Sequence, residues 1–247
     1  MAPSLLDLIF TPGNTHVAFQ PIFALGSEIT LHSFECLTRG PAGTSLQSAE
    51  VLFEYVRRKG CEPAVDRICL AAGLRLAGRW PGFRYSLNVH AATLERDRGF
   101  VPFFLETAAM HALSPSRLII ELVEFAPAFT AACERAINAL RRLGVEFALD
   151  DIGCGQASYQ MILRCQPNYF KVDRYIVAGS SVDASRRAIL SSICQMAHDM
   201  AGAVIAEGVE SEADLAAVRS LGIDLAQGFL LGMPQPCPDA GCEQRPG

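Results

Sequence analysis

The stretch Val145-Glu-Phe-Ala-Leu-Asp-Asp-Ile-Gly-Cys-Gly155 sets the reading of the whole chain. Its apolar run is too short for a helix and reads as a buried strand. The run ends in two adjacent carboxylates, Asp150 and Asp151, and Gly153 and Gly155 then let the backbone turn sharply. The acids therefore stand where a strand gives way to a loop. Neighbouring anions repel unless a cation lies beside them, and hard oxygen ligands suit Mg²⁺ or Mn²⁺. Taken alone, the pair reads equally well as a helix cap, Asp151, next to a solvated Asp150. The surrounding chain decides between these readings.

On the N-terminal side, Pro127 to Leu143 has helical spacing and Gly144 is placed to stop it. On the other side, Ser158 to Arg164 makes a short helix, and Asn168-Tyr-Phe-Lys-Val172 is a strand carrying Lys171. The same unit continues downstream. A helix from Ser185 to Ala201 precedes Ala203-Val-Ile-Ala206, which leads into Glu207-Gly-Val-Glu210. Ser211 and Asp214 pair as a cap for a helix to Leu221, and Gly222 ends it. Asp224 to Leu231 holds a last strand with Gln227-Gly228. Upstream, Val17 to Phe23 reads as a strand with Gln20, and Ile29 to Leu37 as a strand delivering Glu35, with Arg39 opening the loop beyond. Helices are predicted at 49–59, stopped by Gly60, and at 64–77 and 101–112. Arg84 to Val89 is a strand presenting Asn88, and Arg117 to Leu122 a strand carrying Glu121, with Glu124 just beyond.

Strand and helix thus alternate about eight times at roughly thirty-residue spacing, over a length typical of a (β/α)₈ barrel. An open doubly wound sheet would need a phosphate-binding glycine turn after its first strand, and the chain has none there. The expected fold is an α/β, modified TIM barrel. The first two strands are joined by too few residues for a crossover helix, so one strand is expected to run antiparallel. The domain reading is a lead-in at 1–15, a barrel at 16–234, and a Pro-, Gly- and Cys-rich tail at 235–247 expected to be mobile.

Composition narrows the function. Half of the 247 residues are hydrophobic and the formal net charge is −5, which argues against general nucleic-acid or anionic-membrane binding. Nine cysteines include no C-x-x-C pair, and Met1 to Phe10 is a poor export signal because it carries Asp7 and no basic segment. No apolar run is long enough to span a bilayer. A cytoplasmic protein with reduced thiols is the expectation.

The polar residues fall into a pattern. Glu35, Asn88, Glu121, Asp150 with Asp151, Lys171, Glu207 and Gln227 all sit at or near C-terminal strand ends, where barrels carry their active sites. Asn88 could simply make an Asx-turn, and Lys171 could pair with Asp173 on the surface. Glu35 and Glu121 are harder to dismiss, because carboxylates flanked by apolar strand residues are rarely buried without a partner. Carboxylates, one amide and one lysine suit two divalent cations sharing Asp150, at the ~3.5–4 Å separation of two-metal hydrolases. That is chemistry for phosphodiester hydrolysis. The bare constellation also suits Mg²⁺-assisted enolisation, whereas the histidines form no zinc-peptidase motif.

Eight stretches in order carry a family resemblance: Phe19-Gln-Pro-Ile22, Phe34-Glu-Cys-Leu-Thr-Arg39, Leu87-Asn88, Ile120-Glu-Leu-Val-Glu124, Leu149-Asp-Asp-Ile-Gly153, Phe170-Lys-Val-Asp-Arg174, Ala206-Glu-Gly-Val-Glu210 and Gln227-Gly-Phe229. From Phe19 to Pro234 the chain resembles the EAL-domain cyclic-di-GMP phosphodiesterases. The resemblance implies hydrolysis of cyclic di-GMP to linear 5'-pGpG with two Mg²⁺ or Mn²⁺ per site. It implies that Glu35, Asn88, Glu121 and Asp150 hold one metal, and that Asp150 bridges to a second faced by Asp151 and Glu207. Glu207 is cast both as ligand and as general base. Lys171 and Gln227 would orient the attacking water, Arg39 would meet a substrate phosphate and Gln20 would line the guanine side. Glu124 would brace the loop after Asp151, with Glu210 as further loop support. The family's loop also couples metal binding to dimer contacts, so the partners implied are cyclic di-GMP, a second copy of the chain, or a regulatory protein. The chain departs from the family at Cys36, His90, Ile152, Cys154 and Gln156. The altered loop, Ile152 to Gln156, motivates an alternative: a catalytically silent domain that binds the nucleotide or a regulatory protein.

Overall fold

The computed structural model describes residues 4–11, 13–123, 130–153 and 158–236. In chain order its elements are α1 (Leu5–Phe10), β1 (His16–Leu25), β2 (Ile29–Arg39), α2 (Ala49–Lys59), α3 (Glu62–Ala77), β3 (Tyr85–His90), α4 (Ala91–Arg96), α5 (Phe100–Met110) and β4 (Leu118–Val123). There follow α6 (Ala131–Arg141), β5 (Glu146–Ile152), α7 (Tyr159–Cys165), β6 (Tyr169–Val172), α8 (Arg174–Val177), α9 (Ala184–Asp199), β7 (Ala203–Ala206), α10 (Glu212–Ser220) and β8 (Leu225–Ala226). The strands close into a barrel in sequence order, as the alternation predicts.

The irregular start is also as expected. β1 and β2 form a hairpin from Leu25↔Ile29 to His16↔Arg39, because the short connection cannot hold a crossover. β1 is likewise antiparallel to β8, through Phe23↔Ala226 and Ala24↔Leu225. It thus runs against both neighbours, while β2 to β8 are mutually parallel.

Strand alternation sorts the side chains into two faces. Leu87 and Val89, Ile120 and Leu122, Phe147 and Leu149, and Phe170 and Val172 belong to the main core under the helices. The alternate residues fill the barrel in layers. Ile22, Ile119, Ala148, Ile205 and Leu225 make an apolar middle. Beneath it a polar plug closes the N-terminal mouth: Tyr169 donates its hydroxyl to Glu146 (2.7 Å), Arg84 pairs with the same carboxylate, and Arg84 lies 3.2 Å from His32 Nε2. Burial, aided by the Arg84 guanidinium, pushes the His32 imidazole down to about 4, so it is neutral at pH 7.

Helix ends follow their local chemistry. Gly60 caps α2 in the left-handed region at φ 63°, and Ser211 accepts from Asp214 N to start α10. Some boundaries differ from those read in sequence. Helix α6 starts at Ala131 because Thr130 caps it, accepting from Cys133 N; positions 127–129 lie outside the described residues. Helix α9 stops at Asp199, and Ala201 turns the chain with φ 58°. The short helices α4 and α8 carry too few turns to show a period. In the lead-in, Ser4 and Asp7 form a reciprocal capping box that starts α1. After the barrel, Gln235 exchanges two backbone hydrogen bonds with Phe19 (2.6 and 2.9 Å); positions 237–247 of the tail lie outside the described residues. No helix among the described residues is long and apolar enough to cross a membrane.

Candidate active site

The third layer of the barrel interior is charged. Each inward position above the apolar middle holds a residue singled out in the sequence. Glu121 lies two beyond Ile119, Asp150 two beyond Ala148, Lys171 two beyond Tyr169, Glu207 two beyond Ile205 and Gln227 two beyond Leu225. Period-two alternation therefore aims them all at one point. Lys171, only 1% exposed, is at the centre. Its Nζ is paired with Glu121 and lies 2.7 Å from Glu207 Oε1, 3.2 Å from Asp150 Oδ1 and 3.6 Å from Glu35 Oε2. Surface pairing with Asp173 is not how this lysine is used.

Amides complete the ring. Asn88 Nδ2 donates to Glu35 Oε1 (3.1 Å), and Gln227 Nε2 donates to Glu35 Oε2 (2.7 Å) and to Gln20 Oε1 (3.2 Å). Gln20 in turn donates to the Gly232 carbonyl. Gln20 reaches this level because β1 is reversed, which sets it directly opposite Glu35. Ser86, which the sequence reading passed over, donates to Glu121 Oε2 at 2.5 Å. Its signal was positional, since it precedes Asn88 by two on the same strand face.

Asp151 breaks the alternation. Its neighbour Asp150 points inward, so a regular strand would send Asp151 outward. Instead its φ is 53°, in the left-handed region, and the β5–β6 register shifts between Leu149 and Ile152. This irregularity re-aims the side chain, as bulges beside sites do. The carboxylates of Asp150, Asp151 and Glu207 can then come within 4.8 Å of one another, as can those of Glu35, Glu121 and Glu207. Gly153 follows at φ 102°, a backbone conformation strained for any residue with a Cβ, and it packs against Ile176 of α8.

The electrostatics show an excess of negative charge. Burial alone would raise Glu35, but the Lys171 ammonium and the Gln227 and Asn88 amides hold it below the ordinary carboxylate range. Burial raises Asp150 well above that range, and Glu207, Glu35 and Asp151 add to the effect. Burial also raises Glu207, against the pull of Lys171. One ammonium cannot balance four carboxylates, and several hard oxygen donors converge. The donor set fits divalent cations of the Mg²⁺ and Mn²⁺ type.

Two lobes open from this cluster, and Glu35 and Asp150 line both. One, of about 260 Å³, is walled by Gln20, Leu37, Arg174 and Phe229. The other, of about 490 Å³, is walled by Phe53, Glu54, Arg57 and His90. Arg39 is not brought into the cluster. It lines a depression at the start of α2 that shares Glu50 with the larger lobe, and its Nη1 donates to the Thr38 carbonyl (3.0 Å). Glu210 lines the smaller lobe and pairs at 3.5 Å with Arg174 of α8. Glu124, Cys154 and Gln156 lie outside the described residues.

The chain is 29% identical over 238 residues to the cyclic di-GMP phosphodiesterase PdeB of Shewanella oneidensis, a match covering 92% of this chain and 27% of PdeB. It is 32% identical over 170 residues to the cyclic di-GMP phosphodiesterase PdeF of Escherichia coli, covering 68% of this chain and 22% of PdeF. This chain therefore spans about a quarter of the length of these curated relatives. Among solved structures, the calcium and cyclic-di-GMP complex of Klebsiella pneumoniae BlrP1 superposes with a TM-score of 0.80 at 28% identity, covering 95% of this chain and 58% of BlrP1. The EAL enzyme Bd1971, bound to cAMP and cyclic di-GMP, shares the fold with a TM-score of 0.84 at 23% identity, covering 93% of this chain and 64% of that one. The EAL domain model matches residues 4–234, and by that match this chain belongs to the EAL-domain family.

Proposed function

We propose that the barrel, residues 16–234, hydrolyses cyclic di-GMP to linear 5'-pGpG in the cytoplasm and so lowers this second messenger. The observation that carries the reading is the convergence of Glu35, Glu121, Asp150 and Glu207 from four strands around one buried lysine, in a chain whose relatives are named phosphodiesterases. Glu35, Asn88, Glu121 and Asp150 would hold one Mg²⁺ or Mn²⁺, and Asp150, Asp151 and Glu207 a second. When bound, the ions supply water activation and neutralise charge building on the phosphoryl oxygens.

The chain's own groups do the rest. Gln227 Oε1 is buried with no hydrogen-bond partner among the described residues, so it is a free acceptor able to orient the attacking water while its Nε2 stays anchored on Glu35. Lys171, which touches all four carboxylates, would hold them together and help orient the water. Glu207 takes the water's proton. Both lobes share Glu35 and Asp150 of this centre, which leaves room beside the scissile phosphodiester for the rest of a cyclic dinucleotide. Gln20 would line the guanine side of the smaller lobe, Arg39 would meet a phosphate from its place beside the start of α2, outside the cluster, and Glu210 would support the loop it lines. Incubation of the purified chain with cyclic di-GMP and Mn²⁺ is expected to give 5'-pGpG by chromatography, and EDTA is expected to abolish it. Nucleotide binding without product at saturating Mn²⁺ would select the silent-binder alternative.

We also infer self-association through the face formed by α7 and α9. Tyr159 and Leu163 are 76% and 69% exposed there, beside an apolar groove of about 540 Å³ lined by Ile152, Gly153, Ile162, Ile189, Ile193 and Met196. Exposed apolar patches of this kind mark interaction sites. Ile152 and Gly153 directly follow the paired aspartates, so a second copy seated in the groove would bear on the metal-site loop. Light scattering is expected to give twice the mass of one chain, and the Tyr159→Glu, Leu163→Glu double variant to halve it. A monomeric wild type would leave this face to a regulatory protein.

A further inference from the structure

Asp66, on α3 and 1% exposed, takes no part in the carboxylate cluster, yet it is the hub of a buried network. Its Oδ2 accepts from the His90 backbone N–H (2.9 Å) and from the Thr93 hydroxyl, and its Oδ1 accepts from His90 Nδ1 (2.7 Å). The carboxylate fixes Nδ1 as the protonated ring nitrogen. His90 and Thr93 are themselves buried, and Phe53 of α2 packs edge-on against the imidazole with ring centroids 5.3 Å apart. All three hydrogen bonds are thus shielded from water, where each is worth more and is costlier to lose.

What the network grips is the junction between β3 and α4. His90 ends the strand and Thr93 lies in the first turn of the helix. Asn88, the amide that donates to Glu35, is two residues before His90. On its β4 side, β3 stays paired up to His90↔Val123. On its β2 side, the side that carries Glu35, pairing stops at Cys36↔Leu87, one residue short of Asn88. Beyond that point the distance between Asn88 and Glu35 is not set by the sheet on this side. The neighbouring element that ties the strand end down is α3, through Asp66.

We propose that Asp66 is a positioning residue for the metal site, clamping the end of β3 so that the Asn88 amide is held in register with Glu35. The inference rests on the two-metal reading above. Supporting groups of this kind typically change metal affinity by about 10–100-fold when removed, and the loss should travel through Asn88 alone.

The test is Mn²⁺ binding to the full chain, read by electron paramagnetic resonance of the free ion, with thermal unfolding as the control for folding. Asp66→Asn keeps the shape but offers one acceptor oxygen in place of two. It is expected to raise the Mn²⁺ dissociation constant about 10-fold or more. In the Asn88→Ala background the same change is expected to add nothing, because coupled residues are non-additive. Thr93→Val removes a single bond at nearly constant volume and is expected to weaken Mn²⁺ binding a few-fold, while Thr93→Ser restores it; this pair decides the matter if Asp66→Asn does not fold. Wild-type Mn²⁺ affinity in folded Asp66→Asn or, where that variant does not fold, in Thr93→Val overturns the proposal. An equal loss from Asp66→Asn with and without Asn88 does so too. A wild-type chain that binds no Mn²⁺ would instead remove the metal reading and this inference with it.

Discussion

Asp150→Ala is expected to lower turnover of cyclic di-GMP at saturating Mn²⁺ by about 10²–10³-fold or more, the scale of losing a principal electrostatic group from an active site. Asp150 is the one aspartate that touches Lys171, lines both lobes and belongs to the Asp150, Asp151, Glu207 cluster. Glu35→Ala, which removes the acceptor of both Asn88 and Gln227, is expected to match it. A structural defect would show in stability, and here the sign separates the two. In metal-free protein the Asp150 carboxyl is held well above its ordinary range by burial and by Glu207, Glu35 and Asp151, so its native environment opposes its charge. Removing it should leave thermal stability in EDTA unchanged or higher while activity collapses. Turnover within a few-fold of wild type in both variants would remove the metal-site assignment.

Lys171→Met is expected to act in the opposite sense on stability. The ammonium is buried and faces four carboxylates. Taking out one partner of a buried ionic network leaves uncompensated charge and costs about 3–5 kcal/mol. Urea unfolding in EDTA should show a loss of that order, and added Mn²⁺ should recover much of it by supplying positive charge to the same carboxylates. Turnover should fall as well, because the water loses one of its orienting groups. A Lys171→Met protein as stable as wild type in EDTA, with no gain on adding Mn²⁺, would mean that the ammonium does not offset the burial of these carboxylates and that a cation does not take its place.

The two variants show how far local pattern reaches. The sequence sets Glu121, Asp150, Lys171 and Glu207 at C-terminal strand ends, and each sits two positions beyond a residue that also points into the barrel, Ile119, Ala148, Tyr169 and Ile205, so strand periodicity alone accounts for their common face. Asn88 follows Ser86 by the same rule, although only Asn88 drew notice, because a serine in a strand carries little chemical signal. Arg39, for which the resemblance alone implied a phosphate contact, lies outside the cluster, beside the start of α2 at the end of β2.

The strand–helix alternation, the reversed first strand and the inward ring of acids were determined by the amino-acid sequence itself, because turn length, side-chain period and glycine placement are properties of neighbouring residues. Other features only the closed structure decided. The reversal of β1 sets Gln20 against Glu35. The left-handed backbone at Asp151 overrides the strand period. Lys171 is in contact with four carboxylates rather than with Asp173, and Asp66 reaches across from α3 to hold the strand that bears Asn88. Each depends on which groups meet once the ring is shut, and residues far apart in the chain become neighbours only when the last strand pairs with the first.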